Sequence, residues 1–389
     1  MMRIRTQVGI VGAGPAGLFL AHLLHLENID SVILERSTQQ HAVERVRAGV
    51  LEQGTVDLLA ECGLGERVRR EGLRHGGVYL AFLGRRHRID FEELTGGRAI
   101  TIYGQNELLK DLIAAAKGPL YYQAENVRLA EFDTSRPRIH FRHAGGDHEI
   151  ECDFLAGCDG SHGVSRPSIP PAALNIFTRD YPFAWLGILA QAAPSSGELV
   201  YSLAERGFAL FSMRSPEITR LYLQCSPEED AGRWTDDAIW TELDARLATA
   251  DGWRPHHGAI LQKGVTGMRS VVVEPMRYGR LFLAGDAAHI VPPTGAKGLN
   301  LALADVKTLA AAIAAYYRGP RTDLLDQYSE QRARRVWQAQ RFAWWMTSLL
   351  HRTACAFDYR RQIAELEYVT RSRAAMTTLA ENYVGLALV

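Results

Sequence analysis

The pattern of apolar and polar positions in the first 35 residues predicts a strand, a helix and a second strand. Residues 6–11 form an apolar run with β-branched side chains, and a glycine-rich segment follows at 12–17. Residues 18–24 are apolar enough for a helix packed on a sheet, and 32–34 indicate a second strand that ends in Glu35. Strand, glycine-rich turn, helix and strand at this spacing form the βαβ unit of a dinucleotide-binding fold.

The middle of the chain has a different pattern, in which apolar and polar residues alternate over short stretches. Residues 181–273 contain several such stretches, for example 199–201 and 220–224. They predict strands that bury one face. No second glycine-rich nucleotide loop occurs in this region.

The last part of the chain returns to strand, loop and helix. Residues 281–284 predict a strand, 292–298 a stiff loop rich in Pro and Gly, and 299–302 the start of a helix. From about Asp323 onward the pattern is helical and rich in arginine. We therefore predict a mixed α/β (α+β) fold, with a Rossmann-like domain built from both ends, an inserted β-sheet domain and a C-terminal helical region.

Composition and charge exclude several classes of protein. The 389 residues suggest two or three domains, and the 44 basic and 44 acidic side chains give a formal net charge of zero. A neutral balance argues against a dedicated nucleic-acid binder and against electrostatic recruitment to an acidic membrane. No run of about 18 uncharged apolar residues predicts a membrane span. The five cysteines contain no CxxC pair, so we expect a cytoplasmic enzyme without disulfides and without a metal site.

The glycine-rich turn has the residue types that a bound dinucleotide requires. Gly12 permits a tight turn, Gly14 leaves room for a pyrophosphate to approach the backbone, and Gly17 lets the helix lie close to the strand. The helix N-terminus attracts phosphate, and Glu35 can accept hydrogen bonds from a ribose. The alternative is a glycine-rich turn with a structural role only.

Three motifs occur in one order along the chain: residues 12–17 with Glu35, then Cys158-Asp159-Gly160, then Gly285-Asp286. In this order they resemble the single-component flavoprotein aromatic hydroxylases. The resemblance runs from about Val8 to Gly385 and includes longer similar segments at 45–54, 206–210, 285–300, 344–348 and 381–385.

The resemblance implies an FAD-dependent monooxygenase. NADPH or NADH would reduce the bound FAD, and O2 would then give a flavin C4a-hydroperoxide that attacks an aromatic ring ortho to its phenol oxygen. The flanking segments imply 4-hydroxybenzoate as the substrate, hydroxylated at C3 to 3,4-dihydroxybenzoate. The alternatives are a hydroxylase of a related phenolic acid, such as 3,4-dihydroxybenzoate, and a non-catalytic flavin-binding redox protein.

The same resemblance divides the chain into three parts. They are an FAD-binding domain at 1–72, 98–180 and 275–340, a substrate-binding β-sheet domain at 73–97 and 181–274, and a C-terminal helical region at 341–389. A homodimer is the implied assembly. The aromatic cluster of that region is expected in the core or at a subunit interface, and consists of Phe342, Trp344, Trp345 and Met346.

Candidate substrate-binding residues follow from the resemblance and from the chemistry of a phenolic acid. Ser212 and Arg214 are two apart on a predicted strand and so share a face, where the Arg fork can bind a carboxylate together with Tyr222. The alternative is a solvated strand arginine beside a core tyrosine.

The phenol end of the substrate has its own candidates. Tyr201 and Tyr383 are implied to activate the phenol, and the carbonyl of Pro293 to accept from its hydroxyl. His75 resembles the outer end of a proton relay, because a pKa near neutrality suits proton exchange. Tyr201 could instead be a core aromatic residue, and His75 a surface histidine.

The cofactor candidates are also given by the resemblance. They are Glu35 for the adenosine ribose, Arg47 and Gln105 for the phosphate-ribityl region, Asp286 for a ribityl hydroxyl, Arg220 near the flavin ring, Asp159 in the second motif, and Gly298, Leu299 and Asn300 near the flavin N1–C2=O edge. Lys297 would add positive charge at that edge, unless it is a solvated loop residue. Asp159 could mainly hold its loop.

Binding of the nicotinamide cofactor is expected across the surface, since there is no second Rossmann unit. The resemblance points to His162 and Arg269, with Arg36 and Arg45 near phosphates. Residues 36–41 lack the Pro-Asp-Tyr ending of strongly NADPH-preferring members, and no short helix with a tyrosine is evident there. The pattern leaves the choice of reductant open and favours NADH or dual use.

Overall fold

The computed structural model describes residues 2–44, 49–319 and 321–385. In chain order the strands are β1 (Met2–Arg5), β2 (Val8–Val11), β3 (Ser31–Leu34), β4 (Val50–Leu51), β5 (Leu73–His75), β6 (Gly77–Phe82), β7 (Arg85–Asp90), β8 (Ile100–Ile102), β9 (Leu120–Tyr121), β10 (Glu125–Ala130), β11 (Arg138–His143), β12 (Gly146–Glu151), β13 (Phe154–Gly157), β14 (Asn175–Gln191), β15 (Val200–Ala204), β16 (Gly207–Met213), β17 (Thr219–Cys225), β18 (Ala259–Glu274), β19 (Arg277–Tyr278), β20 (Leu281–Leu283) and β21 (His289–Ile290).

The α-helices lie between and after these strands. They are α1 (Pro15–Leu26), α2 (Gln39–Glu44), α3 (Gln53–Glu61), α4 (Gly65–Glu71), α5 (Phe91–Thr95), α6 (Gln105–Ala115), α7 (Ser165–Ser168), α8 (Asp236–Leu247), α9 (Gly298–Arg318), α10 (Asp323–Leu350), α11 (Ala356–Arg371) and α12 (Arg373–Val384). The mixed α/β architecture predicted from the sequence is therefore confirmed.

The first large sheet has the order β19-β20-β13-β2-β3-β9, and from β20 to β9 its strands are parallel. Strands β2, β3, β13 and β20 are fully buried, as expected for a sheet covered on both faces. Each of the three sequence motifs follows the carboxyl end of one of these strands. Because those ends meet at one edge of the sheet, the motifs share a single crevice, the usual ligand position in such folds.

The second large sheet has the order β21-β18-β14-β17-β16-β15-β6-β7. Its neighbours are antiparallel except for β15 and β6, which pair in parallel. It joins residues 77–90 to residues 175–274, and this supports the proposed inserted domain. The proposed boundaries differ from the strands in two places, since β14 begins at Asn175 and β5 belongs to a small sheet with β4 and β8.

Helix α9 is long and apolar enough to span a membrane by length and composition. In the fold 61% of its apolar window is buried, and it packs against α1 and α10. Its Asp305 is fully buried, where the carboxylate pairs with Arg332 at 2.7 Å. Its apolar composition is therefore that of a core helix.

The C-terminal helices pack on the second sheet and separate the predicted aromatic cluster into two groups. Phe342 and Met346 are buried in the core that also contains Tyr201 and Tyr383. Trp344 remains exposed. The cluster is thus partly core and partly surface.

Candidate active site

The glycine-rich turn between β2 and α1 is shaped by close backbone contacts. Gly12 has φ +104°, and a Cβ there would lie 2.4 Å from the carbonyl oxygen of Cys158. A Cβ at Gly17 would lie 1.9 Å from the carbonyl oxygen of Gly12, so only glycine lets the helix approach the turn. At Gly14 a Cβ would meet no atom within 4 Å. The turn therefore has open space at the position where a pyrophosphate was expected, and its shape fits a dinucleotide.

Glu35 lies at the carboxyl end of β3 and faces this turn. Its Oε2 accepts a hydrogen bond from the backbone N–H of Ala13 at 2.9 Å, and its Oε1 accepts from Ser37 N–H at 2.8 Å. These two bonds hold the carboxylate beside the turn. Each oxygen keeps a further lone pair, which a ribose hydroxyl can use.

Asp159 holds the loop of the second motif. Its Oδ2 accepts from the backbone N–H of Ser165 at 2.8 Å and from the Ser165 hydroxyl at 2.9 Å. Burial raises the pKa of Asp159, and its Oδ1 has no partner among the described residues. A Cβ at Gly163 would lie 2.0 Å from the Asp159 Cγ. The geometry therefore gives Asp159 the loop-holding role that the sequence analysis left open.

The third motif is held by a residue that the sequence analysis missed. Asp305 of α9 accepts from the backbone N–H of Gly285 at 2.9 Å and from His289 at 2.6 Å, and it pairs with Arg332 at 2.7 Å. These bonds fix the turn Gly285–Ala287, which carries Asp286. An acid in the middle of an otherwise apolar helix was the sequence signal that could have found it.

The N-terminus of α9 points its first N–H groups out of the helix. The first hydrogen bond inside the helix runs from the N–H of Leu301 to the carbonyl of Lys297. The three preceding N–H groups therefore have no acceptor within the helix; they belong to Gly298, Leu299 and Asn300. They can therefore serve an electron-rich ligand edge.

The Asn300 side chain is already committed to the protein. Its Nδ2 donates to the carbonyls of Val50 and Ala296, both at 2.9 Å, and its Oδ1 accepts from Glu52 N–H at 2.9 Å. Only the backbone of Asn300 is thus available to a cofactor.

The contacts of Lys297 differ from both predictions made from the sequence, a positive charge at the flavin edge and a solvated loop residue. It is 2% exposed, so it is not a solvated loop residue. Its ammonium donates to Glu52 Oε1 at 2.7 Å, to Tyr383 O at 3.0 Å and to Asn382 O. All three protons are used, and the charge is paired. Lys297 therefore anchors the loop to α12 and has no proton left for a ligand.

The loop that carries Pro293 has a tight, glycine-dependent shape. The carbonyl of Pro293 accepts from Ala296 N–H at 3.0 Å, and both Gly295 and Ala296 have positive φ. A Cβ at Gly295 would lie 2.9 Å from the ring of Phe342. The Pro293 carbonyl retains one lone pair for a ligand.

Arg214 is partly exposed, but two of its hydrogen-bond donors are enclosed and unsatisfied. Its Nε and Nη1 have no partner in the described part of the chain, while Tyr222 hydrogen-bonds to its guanidinium. Burial lowers the pKa of Arg214, and the nearby charge of Arg220 acts in the same direction. Enclosed donors of a cation favour an anionic partner, so the pair is suited to bind a carboxylate. Ser212 lies buried near the end of β16, and Arg214 directly follows that strand.

Tyr201 and Tyr383 are joined by a short hydrogen bond between their hydroxyls in the buried interior. Burial raises the pKa of Tyr201 to about 12, although the bonds from Tyr383 and from the backbone of Gly295 oppose that rise. The pKa of Tyr383 is raised further, by burial and by its bond to Tyr201. Tyr201 is the partner that contacts the loop.

His75 is buried, not a surface residue. It is 1% exposed, and both ring nitrogens lack a partner among the residues that the structure describes. Burial lowers its pKa to about 4. The neighbouring carbonyl of Gly76 accepts from Phe91 N–H, and the Phe91 ring stacks on Tyr383 at 5.1 Å. Gly76 and Phe91 thus stand between His75 and the tyrosine pair.

Two of the nicotinamide candidates are brought together, since Arg36 donates to the carbonyl of His162 at 3.3 Å. Arg269 lies on β18 opposite Asp180, and Arg220 lies on β17 with its Cζ 5.1 Å from the Tyr222 ring centroid. Gln105 begins α6. Arg45 and Arg47 lie outside the described residues. A short helix, α2, begins at Gln39, and its described residues contain no tyrosine, in line with the expectation that this segment forms no short helix with a tyrosine.

A family model described as an FAD binding domain matches residues 5–343 of the chain. The chain is 46% identical over 391 aligned residues to a p-hydroxybenzoate hydroxylase from Acinetobacter baylyi, an alignment that covers 99% of this chain and 96% of that protein. It is 27% identical to a 12-dehydrotetracycline 5-monooxygenase/anhydrotetracycline 6-monooxygenase from Streptomyces rimosus, over 85% of this chain and 67% of the relative.

Solved structures share the fold at lower identity. The structure of p-nitrophenol 4-monooxygenase from Pseudomonas putida superposes with a TM-score of 0.84 at 17% identity, covering 99% of this chain and all of the other. An anhydrotetracycline hydroxylase from Streptomyces rimosus gives 0.77 at 24% identity, covering 99% and 76%.

Proposed function

The chain belongs to the single-component FAD-dependent aromatic hydroxylases, and from this premise we propose that it hydroxylates 4-hydroxybenzoate at C3 to give 3,4-dihydroxybenzoate. The observation that carries the choice of substrate is the pair of enclosed, unpartnered donors of Arg214, Nε and Nη1, beside Tyr222, which lies in the same core as the paired hydroxyls of Tyr201 and Tyr383. A cation at one end and a hydroxyl pair at the other match an aromatic ring with a carboxylate and a phenol.

The residues that would hold FAD form the crevice at the carboxyl ends of the parallel strands. The open space at Gly14 and the N–H groups that begin α1 receive the pyrophosphate, and Glu35 binds the adenosine ribose. Asp286 binds the ribityl chain, and the N-terminus of α9 faces the flavin edge where negative charge collects. FAD bound there and reduced by a nicotinamide cofactor supplies the chemistry that activates O2.

The carboxylate of the substrate binds to Arg214. Two N–H groups of a guanidinium can bind one carboxylate side by side, with Tyr222 fixing the plane of the fork. An unpaired buried charge costs several kcal/mol, on the order of 3–5, so binding of an acid relieves an unfavourable state of the free enzyme. Because only an acid relieves this free-energy cost, the enzyme should bind phenolic acids more tightly than neutral phenols.

The phenol end lies at Tyr201. Its hydroxyl accepts from the Gly295 backbone and shares a short hydrogen bond with the Tyr383 hydroxyl, in which either group can donate; when Tyr383 donates, the proton of Tyr201 can be donated to the substrate oxygen. That donation stabilises a phenolate, whose ring is richer in electrons at the position ortho to the oxygen. The Pro293 carbonyl offers a second contact for the substrate hydroxyl. The displaced proton passes along the tyrosine pair toward His75.

The reductant binds across the surface near Arg36 and His162, with Arg269 as a further contact. The described part of α2 carries no tyrosine, which supports NADH or dual use over a strict NADPH requirement.

A homodimer in the cytoplasm is the expected assembly, and an exposed aromatic patch supports a subunit contact. The patch is formed by the exposed rings of Phe177 on β14 and Trp337 on α10, whose centroids lie 5.5 Å apart. Solvent-exposed groups of this kind commonly mark interaction sites.

Steady-state turnover tests the proposal. Purified protein with FAD should consume O2 with 4-hydroxybenzoate and either NADH or NADPH, and chromatography should identify 3,4-dihydroxybenzoate as product. The same assay with a panel of phenolic acids, including 3,4-dihydroxybenzoate, distinguishes a 4-hydroxybenzoate hydroxylase from an enzyme that hydroxylates another phenolic acid. Consumption of reductant that gives only H2O2 with every acid would overturn the assignment.

A further inference from the structure

Trp185 lies against Tyr222, the aromatic half of the proposed carboxylate-binding pair. Their ring centroids are 4.8 Å apart at an interplanar angle of 48°. Trp185 pairs with Gln224 across β14 and β17, and this register makes Trp185 and Tyr222 diagonal neighbours on one face. Directly opposite Tyr222 stands Gly187, which offers no side chain. The lateral support of Tyr222 from β14 therefore comes from the Trp185 ring.

A buried histidine fixes the orientation of that ring. The indole Nε1 of Trp185 donates to His351 Nε2 at 2.7 Å, and His351 Nδ1 lies 2.9 Å from the carbonyl of Thr347. An indole nitrogen only donates, so His351 Nε2 must be the unprotonated acceptor and Nδ1 must carry the proton to Thr347. The histidine is therefore neutral and present as a single tautomer.

The surroundings of His351 keep it in this state. Its ring is stacked between Phe183 at 4.5 Å and Phe208 at 4.4 Å, and it is 1% exposed. Burial lowers its pKa to about 3, so the ring stays neutral throughout the physiological range. His351 directly follows α10, so it also connects the C-terminal helices to the substrate sheet.

We propose that His351 is a positioning residue for substrate binding. By accepting the Trp185 N–H it holds the indole ring against Tyr222, and Tyr222 in turn holds the Arg214 guanidinium in the plane that receives a carboxylate. The inference rests on the proposed function, and it adds two residues to the site, His351 and Trp185, that do not contact the substrate themselves.

Ligand binding to the FAD-loaded protein tests the proposal, with the perturbation of flavin absorbance as the readout. The ligands are 4-hydroxybenzoate, benzoate, which has only the carboxylate, and phenol, which has only the hydroxyl. His351→Phe keeps a ring in the stack and removes the acceptor, whereas His351→Gln provides a side-chain oxygen in its place. Trp185→Phe removes the donor and leaves His351 intact, which gives a second variant should the first fail to fold.

We expect the variants to weaken binding of the carboxylate end of the substrate and not binding of the phenol end. His351→Phe and Trp185→Phe should each raise the dissociation constant of benzoate roughly tenfold and leave that of phenol within about twofold. His351→Gln should restore most of the benzoate affinity. The double variant should be no weaker than either single variant, because both remove the same hydrogen bond.

Two contrary outcomes are distinguishable. Wild-type affinity for benzoate in both phenylalanine variants, or an equal loss for benzoate and phenol, would overturn the positioning role and leave the proposed function intact. Failure of the wild-type protein to bind either 4-hydroxybenzoate or benzoate would overturn the proposed function and this inference with it.

Discussion

The ammonium of Lys297 lies 2.7 Å from the carboxylate of Glu52, in a site where both side chains are almost fully enclosed. Arg335 approaches the other oxygen of Glu52 at 3.5 Å. Lys297 also bonds to the carbonyl of Tyr383, so the same ion pair joins the loop before α9 to the helix that carries the tyrosine pair.

Removal of this lysine should destabilise the protein. Lys297→Met leaves Glu52 buried and only partly neutralised, and we expect a loss of about 3 kcal/mol in the free energy of unfolding. Urea unfolding measures it. The double variant Lys297→Met/Glu52→Gln should recover part of the loss, and Lys110→Met, at an exposed ion pair, should change stability by less than about 1 kcal/mol. Equal stability of the Lys297 variant and the wild type would show that the pair contributes nothing.

Gly14→Ala should separate folding from FAD binding. A Cβ at Gly14 meets no protein atom within 4 Å, and the backbone φ of −74° suits alanine, so thermal stability of the FAD-free protein should not fall. The added methyl occupies the approach of the pyrophosphate, and FAD affinity should drop at least about tenfold. Flavin fluorescence titration measures it. Gly54→Ala, also in open space, is the matched control and should bind FAD normally.

Arg214→Ala should abolish recognition of the substrate carboxylate. Loss of a charged, bidentate contact to enclosed donors corresponds to about 3–5 kcal/mol, a rise of roughly two to three and a half orders of magnitude in the dissociation constant. Equilibrium titration of the FAD-loaded protein with 4-hydroxybenzoate tests this. Arg254→Ala removes an exposed arginine and serves as the control. A change of less than about tenfold would argue against Arg214 as the carboxylate ligand.

Tyr201→Phe should uncouple the reaction. The substrate still binds through Arg214, so it should still stimulate oxidation of the reductant. Without the hydroxyl that stabilises the phenolate, the ring is a poorer nucleophile, and the oxygen should leave as H2O2. The ratio of 3,4-dihydroxybenzoate formed to NAD(P)H consumed is the measurement. An unchanged ratio would remove Tyr201 from the mechanism.

The buried histidines should make the protein less stable in acid. His75 has a pKa of about 4 in the folded state against 6.5 in the unfolded chain, so the unfolded state takes up the proton first. Stability should be constant above about pH 7 and fall as the pH drops toward 4, by about 1.4 kcal/mol per pH unit for this group. His351 adds to the same slope.

Urea unfolding at pH 7, 6 and 5 measures that slope. His75→Gln should lower the proton uptake on unfolding by up to one proton and so reduce the slope. An identical slope in the wild type and His75→Gln would mean that His75 has an ordinary pKa in the folded protein.

Local patterns were sufficient for much of the fold. The β2–α1–β3 unit, the strand β20 and the helix from α9 onward lie where the hydrophobic pattern predicted them, because each is specified by a short run of neighbouring residues. The glycine at 17 was identified for the right reason, since its close contact with Gly12 falls within the same turn, whereas Gly12 is constrained by Cys158 from the second motif, a contact that the local pattern does not show. The domain boundaries stay a prediction, and the first strand of the sheet region does not coincide with them, because β14 begins at Asn175, before residue 181, and continues to Gln191.

The sequence by itself determined the fold class, the nucleotide turn and, through the order of three motifs, the family. What only the tertiary structure decided is the state of the buried polar side chains. The structure shows that Lys297 joins its loop to α12 and that the His75 ring is enclosed and weakly basic. It also shows that Arg214 has hydrogen-bond donors without a partner among the described residues and that Asp305 holds the turn of the third motif. These properties depend on burial and on partners from distant parts of the chain, and neither can be read from the residues that neighbour them in sequence.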